Sequence, residues 1–217
     1  MLSSRRGGKR LPKKGRATGG SVLKLAGLEI TSTKTGEMIT TNSKVFWLFG
    51  RSGAGKTTLA RRLHQGFINR NVPVLYLDGD DLRSGICADL GFSSDARLEN
   101  HRRIAETARL AAEQGLSVVV STMAPELKDR DQVKQVLTDR LVWVYIHASL
   151  NVCMRRDPKG LYRRAQAGSI QNLIDFPFDP PREEERLHMI DTMVLDIEGG
   201  YEALAELAFF QLIDYAI

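Results

Sequence analysis

The nine residues from Gly50 to Thr58 constrain the fold more than any other part of the chain. Their sequence, GRSGAGKTT, matches the phosphate-loop pattern G-x-x-x-x-G-K-[ST]. An apolar run at 45–49 precedes the loop and is typical of a buried strand, and apolar residues recur at helical spacing over 55–70. A strand, a glycine-rich loop and a helix in this order predict an α/β fold that binds a nucleotide.

The loop is expected to hold the phosphates of ATP through charge. Its glycines allow consecutive backbone N–H groups to point inward, and the helix N-terminus adds the positive end of its dipole. Lys56 supplies a cation for the β- and γ-phosphates, and the Thr57 hydroxyl is suited to Mg²⁺. The alternative is a glycine-rich turn that binds nothing, which the flanking strand and helix argue against. The predicted ATP-binding residues of the loop are Gly50, Arg51, Ser52, Gly53, Ala54, Gly55, Lys56, Thr57 and Thr58.

Apolar runs rich in β-branched residues alternate with helical patterns along the rest of the chain. The further predicted strands are Val72–Leu77, Leu116–Ser121, Leu141–His147 and Thr192–Ile197. The further predicted helices are 96–114, 128–138, 149–156 and 200–215. Such alternation predicts βαβ units and a parallel sheet covered by helices on both faces.

Charge separates the N-terminus from the remainder. The net charge of the chain is +5, but residues 1–20 hold seven Lys or Arg and no acid, so the remainder is slightly acidic. We expect a basic, disordered tail over 1–20, an extended lead-in over 21–43 and a catalytic domain over 44–217. The tail is interpreted as a solvated leader, with nucleic-acid contact or organellar targeting as alternatives.

Composition also bears on the compartment. No apolar run approaches the ~20 residues of a membrane span, so no membrane association is expected. The two cysteines, Cys87 and Cys153, have no metal-ligand spacing, and a reduced cytoplasmic setting is the simpler expectation.

Three aspartates follow the second predicted strand, in the segment LDGDDLR, and the first two of them are candidates for the site. Ligands collect beyond the carboxyl ends of strands in an open parallel sheet, so Asp78 and Asp80 are expected near the nucleotide. A carboxylate there could bind Mg²⁺, directly or through water, or accept a proton from an attacking hydroxyl. The alternative is an acidic turn that caps a helix. With a phosphate loop in the same chain, we favour a functional role.

Cationic groups recur further along the chain. Arg97 and Asn100 are three residues apart and share one helix face, which suits an anionic acceptor, although such a pair alone is more often a solvated surface. The neighbouring His101 is expected at the surface. The segment 155–165 places five cations around a Pro/Gly break and is either a basic surface loop or a lid over phosphates.

Taken together, these segments resemble the adenylylsulfate kinases, which use ATP to phosphorylate the ribose 3′-hydroxyl of adenosine 5′-phosphosulfate. Four blocks carry the resemblance: GRSGAGKTT, LDGDDLR, LGFSSDARLENHRRIAE and VCMRRDPKGLYRRAQAGSI. They occur in family order between about residues 44 and 175; the first block fits many ATPases and GTPases, whereas the other three are specific. The resemblance implies a P-loop nucleotide-kinase-like α/β fold, a three-layer sandwich around a five-stranded parallel sheet.

The resemblance also implies a role for each matching residue. The implied cofactor is Mg²⁺ with ATP, the metal site is Thr57 and Asp78, and the catalytic residues are Lys56, Asp78 and Asp80. Asp80 would face the acceptor hydroxyl as a base or positioning group, and Arg156 would lie near the ATP adenine. The implied acceptor-binding residues are Asp80, Arg83, Phe92, Arg97, Asn100 and Lys159. Among these, Arg83, Arg97 and Asn100 would hold the phosphosulfate, Phe92 would stack on the base and Lys159 would reach toward the acceptor. The implied partners are ATP and a small nucleotide acceptor, and a homodimer is a further expectation.

Departures from the family pattern fall on the acceptor half. The usual S-F-I-S-P-[FY]-R-x-x-R is STMAPELKDR over 121–130, where the changed residues are Thr122, Ala124, Glu126 and Leu127. The usual N-F-T-G-I-D loses two residues and places Leu173 where a phenylalanine would stack on the acceptor base, a contact worth ~1–3 kcal/mol. Phe176 or Phe178 could substitute for it.

These departures leave two alternatives open. One is a kinase of the same fold for another anionic nucleotide, such as a cytidine diphosphate derivative. The other is a non-catalytic nucleotide-binding regulator, against which the intact Lys56, Asp78 and Asp80 argue.

Overall fold

The structure, a computed structural model, describes residues 22–25, 28–31, 43–170, 178–185 and 187–212. The chain divides into two units, 1–39 and 40–217. In the first unit, strands β1 (Val22–Leu25) and β2 (Leu28–Thr31) pair antiparallel. This hairpin lies within the segment predicted as an extended lead-in, and its pairing was not predicted.

The second unit is built on a five-stranded sheet in which every strand is parallel to its neighbours. The strands are β3 (Val45–Phe49), β4 (Val74–Asp78), β5 (Ser117–Ser121), β6 (Leu141–His147) and β7 (His188–Asp191). Their order across the sheet is β4-β5-β3-β6-β7, which puts the strand before the phosphate loop at the centre. The predicted α/β class and five-stranded parallel sheet are confirmed.

Seven helices surround this sheet in the described residues. They are α1 (Lys56–Ile68), α2 (Gly79–Arg83), α3 (Ser94–Glu113), α4 (Leu127–Leu137), α5 (Leu150–Arg156), α6 (Leu161–Gln166) and α7 (Ile197–Leu212). Short 3₁₀ turns cover Thr138–Arg140 and Glu183–Glu185. Among the described residues, no helix combines the length and the apolar character needed to cross a bilayer.

The core has two halves because successive side chains of the buried central strand point to opposite faces. Phe46 and Leu48 pack in a cluster with the apolar residues of α1 and α7. Val45, Trp47 and Phe49 pack on the other face with α3 and α4. The result is a three-layer arrangement of helices, sheet and helices, as predicted.

The predicted fifth strand is wrong in position. Thr192–Ile197 was predicted as a strand, whereas β7 ends at Asp191 and α7 begins at Ile197. Asp191 ends the strand because its carboxylate accepts from the Met193 N–H at 2.8 Å and its carbonyl accepts from the Leu195 N–H at 2.9 Å. The apolar composition of this turn imitates a strand, but Val194 is 80% exposed.

The prediction that His101 lies at the surface is also wrong. Its ring is buried 6.4 Å from that of Trp47, and Nδ1 lies 3.4 Å from the Asp129 Oδ1 atom on α4. The reason is the packing of α3, which turns Arg97, Asn100, His101 and Ile104 inward. These residues follow helical periodicity, but three of them are polar, so the apolar pattern does not reveal the buried face.

Candidate active site

The phosphate loop joins the central strand to α1 and requires glycine at three positions. Gly50, Gly53 and Gly55 have φ values of 148°, 78° and 105°. A Cβ on Gly50 would overlap the Ile146 carbonyl oxygen, and one on Gly53 would lie 2.9 Å from the Cys153 carbonyl oxygen. The loop therefore needs glycine for its backbone conformation and for its close approach to β6 and α5.

Lys56 opens α1 and points back along the loop. Its Nζ donates to the Arg51 carbonyl at 2.8 Å. Burial lowers the pKa of Lys56 to about 8, and the positive charge of Lys159 adds to this shift, whereas Asp80 and Asp78 oppose it. The lysine is therefore mostly protonated at pH 7, and phosphates that approach it would raise its pKa further.

Asp78 ends β4 and receives hydrogen bonds on both carboxylate oxygens. Oδ2 accepts from the Tyr76 hydroxyl at 2.7 Å and from the Thr57 hydroxyl at 3.2 Å, and Oδ1 accepts from the Asp80 N–H at 3.0 Å. Burial alone would raise the pKa of Asp78, but these hydrogen bonds and the charge of Lys159 lower it below its ordinary value. Asp78 also caps α2. The alternative prediction, an acidic turn that caps a helix, is therefore correct, and it does not exclude a functional role for Asp78.

The oxygen atoms around Asp78 are suitable ligands for a magnesium ion that also binds the phosphates. Asp78 and Ser121 are register partners at the ends of β4 and β5, and the Ser121 Oγ lies 3.4 Å from the Thr57 Oγ1. A carboxylate and hydroxyls are hard oxygen ligands, as Mg²⁺ prefers. Within the described residues, no group of three or more His, Cys, Asp or Glu could hold a metal.

Asp80 and Lys159 form an ion pair across the mouth of the site. Asp80 lies in the first turn of α2, and Lys159 lies in the turn between α5 and α6. Asp157 fixes that turn because its carboxylate accepts from the backbone N–H groups of Tyr162 and Arg163 at 3.1 Å each. The basic segment 155–165 therefore folds back toward the phosphate loop, on which the Tyr162 hydroxyl donates to the Ser52 carbonyl at 3.0 Å.

Two of the predicted acceptor residues, Arg83 and Arg97, lie against Phe92, whose ring is exposed. The Arg83 guanidinium lies 4.7 Å from the ring centroid and donates to the Gly91 carbonyl. The Arg97 guanidinium lies 5.9 Å from the ring and donates to the Phe92 carbonyl at 3.1 Å. Asn100 is 3% exposed, and its Oδ1 has no hydrogen-bond partner among the described residues.

Arg156 connects the phosphate loop to a residue that sequence reasoning missed. Its guanidinium donates to the Thr192 carbonyl at 2.6 Å and Oγ1 at 2.9 Å, and to the Gly53 carbonyl at 3.4 Å. The Thr192 hydroxyl in turn donates to the Ala54 carbonyl at 2.9 Å. Thr192 directly follows β7 at the carboxyl edge of the sheet. That position would have identified it, had the fifth strand been placed correctly.

The departures from the family pattern have defined surroundings. Thr122 accepts from the indole N–H of Trp47 at 2.9 Å, and Ala124 adopts an unusual positive φ of 38°. The Leu127 N–H donates to the Asp179 carboxylate at 2.7 Å. Glu126, at the start of α4, accepts from the Ser94 hydroxyl.

Of the two phenylalanines suggested as substitutes in the base clamp, only Phe178 lies in the described part of the chain. Its ring stacks on Tyr145 with centroids 6.0 Å apart, and the Arg51 guanidinium lies 4.8 Å from its centroid. Leu173 and Phe176 lie outside the described residues.

A central parallel strand, a phosphate loop at its carboxyl end and a carboxylate at the end of an outer strand define a P-loop kinase fold. A family model for adenylylsulphate kinase matches residues 42–189. The chain therefore belongs to the adenylylsulfate kinase family.

Individual relatives agree with this assignment. The chain is 38% identical over 189 residues to the adenylyl-sulfate kinase of Vibrio vulnificus strain YJ016, covering 84% of this chain and 87% of the relative. It is 44% identical over 146 residues to that of Acaryochloris marina, covering 66% and 71%. It is also similar to the solved structure of the Mycobacterium tuberculosis APS kinase CysC in complex with AMPPNP and APS. The TM-score is 0.70 at 33% identity, covering 77% of this chain and 98% of that one.

Proposed function

We propose that the protein transfers the γ-phosphoryl group of Mg-ATP to the ribose 3′-hydroxyl of adenosine 5′-phosphosulfate. The product is 3′-phosphoadenosine 5′-phosphosulfate. The observation that carries the proposal, beside family membership, is the contact between Asp80 and Lys159. Asp80 lies two residues after Asp78, and Lys159 belongs to the basic segment 155–165. Their contact brings these two parts of the chain together near the phosphate loop, where we expect the phosphate donor and the acceptor to meet.

On the donor side, we assign the phosphates to the loop and to Lys56. When ATP binds, the Lys56 ammonium leaves the Arg51 carbonyl and meets the charge that develops on the transferred group. Thr57 and Asp78 would hold Mg²⁺, which neutralises phosphate charge and orients the γ-phosphoryl group. Arg156, held by Thr192, would border the adenine of ATP.

On the acceptor side, we assign the proton acceptor or positioning role to Asp80. Lys159 neutralises this carboxylate in the free protein and lies where it could instead contact the acceptor anion. Arg83 and Arg97 would bind the phosphosulfate, because guanidinium groups match paired oxyanions geometrically. Asn100 would add an amide to this cluster. Phe92 offers an exposed ring for base stacking.

The decisive experiment is a kinase assay over a panel of acceptors, with the product mass and the phosphorylated position determined. We expect phosphorylation of adenosine 5′-phosphosulfate at the 3′-hydroxyl, dependent on Mg²⁺ and abolished by a chelator. Turnover of a cytidine diphosphate derivative instead would retain the kinase but reject this acceptor. Tight ATP binding without turnover of any acceptor would indicate the non-catalytic regulator.

The role of Asp80 has a matched control in its neighbour. Asp80→Asn should lower kcat by about 10²-fold or more while ATP affinity stays within a few-fold, as expected when a positioned proton acceptor is lost. Asp81→Asn removes the same charge from the next residue of α2 and should retain most of kcat. Equal losses in both variants would mean that α2 contributes only its general negative charge.

A further inference from the structure

Glu126 places a carboxylate beside the residues proposed to bind the acceptor. It lies at the start of α4, and its side chain is only 16% exposed. The Ser94 hydroxyl donates to Oε1 at 2.7 Å and lies 2.9 Å from Oε2, and the Lys128 ammonium lies 3.2 Å from Oε2. These contacts fix the carboxylate against the first turn of α3.

That turn of α3 also carries the cation proposed for the acceptor anion. Ser94 and Arg97 are three residues apart and therefore neighbours on the helix surface. Arg97 is 9% exposed, and burial together with Arg83 lowers its pKa, whereas the charges of Asp129 and Glu126 oppose that shift. Two carboxylates therefore act on the guanidinium that would meet the acceptor.

We propose that Glu126 is a specificity-determining residue whose negative charge, held against the first turn of α3 by Ser94, weakens the binding of anionic acceptors at Arg97. This inference rests on the proposed function, because it assumes that the acceptor occupies the Arg83, Arg97 and Phe92 cluster. A fixed carboxylate lowers the positive potential of that cluster, so each negative charge on a ligand gains less on binding.

Asp129 is less suited than Glu126 to tune the affinity for anionic acceptors. Its side chain is fully buried, and its carboxylate accepts from the Glu126 N–H at 3.2 Å and lies beside His101. Its removal would disturb the packing of α3 on α4. Glu126 retains partial exposure, and glutamine in its place keeps the shape and an oxygen for the Ser94 hydroxyl.

The test compares charged and neutral ligands in Glu126→Gln. We expect the KM for adenosine 5′-phosphosulfate and the inhibition constant of adenosine 5′-monophosphate to fall about 3-fold to 10-fold. A change of this size is expected when one unit charge is removed near a charged ligand in a partly solvated site. The inhibition constant of uncharged adenosine should not change, and the KM for ATP should stay within about 2-fold. The gain should shrink at high salt, because mobile ions screen this interaction.

Two further variants separate charge from shape. Glu126→Asp keeps the charge on a shorter side chain and should leave the inhibition constant of adenosine 5′-monophosphate near that of the unaltered protein. Lys128→Gln removes the cation that offsets Glu126 and should raise that constant. The matched control is Glu106→Gln, which breaks an ion pair with Arg109 elsewhere on α3. It should change neither the KM for adenosine 5′-phosphosulfate nor the inhibition constant of adenosine 5′-monophosphate.

Several outcomes would overturn the inference. They are unchanged constants in Glu126→Gln, an equal shift for adenosine and its monophosphate, or a Glu126→Asp variant that behaves like the glutamine variant. Failure of the proposed function would look different. The unaltered protein would then not phosphorylate adenosine 5′-phosphosulfate at all. The dissociation constants of adenosine and its monophosphate could still be compared between the variants by equilibrium binding.

Discussion

At the scale of single residues, the site depends on how Asp78 is held. Its position could be predicted, because a carboxylate after a buried strand in a parallel sheet lies at the ligand edge. The hydrogen bond from Tyr76 was not predicted, since tyrosine in a strand is ordinary. A signal was nevertheless present, because residues two apart on a strand point to the same side, which puts the Tyr76 hydroxyl beside the carboxylate.

Replacing Tyr76 with Phe should raise the pKa of Asp78, because the Tyr76 hydrogen bond favours the ionised form. A carboxyl group whose folded-state pKa lies below its ordinary value contributes stability above that ordinary pKa. The contribution is lost as the pH falls through the folded-state value. Tyr76→Phe should therefore lower the free energy of unfolding at pH 7 by about 0.5–1.5 kcal/mol and by less in acid. Urea unfolding at pH 7 and below pH 4 measures both values.

The control for this prediction is Asp78→Asn, made alone and with Tyr76→Phe. If Tyr76 acts through the Asp78 carboxylate, the tyrosine substitution should cost less in the asparagine background. Equal costs in both backgrounds would assign the effect to packing of the ring.

Lys56 should make ATP binding depend on pH in the alkaline range. Its pKa of about 8 in the free protein must rise when phosphates bind, so binding above pH 8 takes up a proton. The dissociation constant should be nearly constant below pH 7.5 and rise by up to about tenfold per unit above pH 8. Calorimetry at pH 9 in two buffers of different ionisation enthalpy measures the uptake directly.

Two Lys56 variants control that prediction. Lys56→Arg keeps its charge at pH 9 and should bind ATP without proton uptake. Lys56→Ala should lose turnover and bind ATP more weakly. A dissociation constant that is flat from pH 7 to 9.5 in the unaltered protein would contradict the neutral form of Lys56.

At the scale of elements, the segments with an apolar pattern were mostly predicted well, and the short helices without one were missed. The helices α1, α3 and α4 and the strands β3, β5 and β6 start and end within about two residues of their predicted bounds. The short helices α2 and α6 were missed because aspartate caps stabilise them rather than an apolar repeat. The buried polar face of α3 was missed because its polar side chains have partners on α4 and on other elements. The sequence alone does not show that these partners lie beside α3.

The segment 84–92 shows how an element outside the site sets its geometry. It joins α2 to α3 and ends at Phe92. Arg103 on α3 donates to the Ile86 carbonyl at 2.9 Å and to both Asp89 carboxylate oxygens at 2.6 and 2.9 Å. This bidentate pair anchors the segment to the outside of α3 and thereby fixes the path of the chain toward Phe92.

Asp89→Asn should therefore raise the KM for adenosine 5′-phosphosulfate about 3-fold to 10-fold and leave the KM for ATP unchanged, because only the acceptor side loses its anchor. Steady-state kinetics with each substrate varied in turn measures this split. Glu113→Gln, which removes an ion pair with Arg109 on the same helix, should change neither constant. A parallel rise in both constants for Asp89→Asn would mean that the segment supports the whole site.

At the scale of the whole molecule, the basic charge lies in residues 1–20 and should not contribute to the folded body. Deleting these residues should leave kcat and the thermal midpoint unchanged, because a chain of glycine and charged residues buries too little apolar surface to support a core. Scanning calorimetry and the kinase assay test this, and light scattering on both forms tests the predicted homodimer. A truncated protein that loses activity or unfolds would show that the segment packs on the body.

The two tryptophans of the chain lie in one half of the core, with their ring centroids 5.8 Å apart. Both are buried on the side of the sheet that faces α3 and α4, and none packs among α1 and α7. Tryptophan emission therefore reports on the half of the core that packs against α3 and α4. An unfolding curve followed by emission and one followed by far-ultraviolet circular dichroism will coincide only if both halves of the core melt together. Nucleotide binding at the phosphate loop, which lies at the carboxyl end of the central strand, is expected to alter this emission only if it moves α3 or α4.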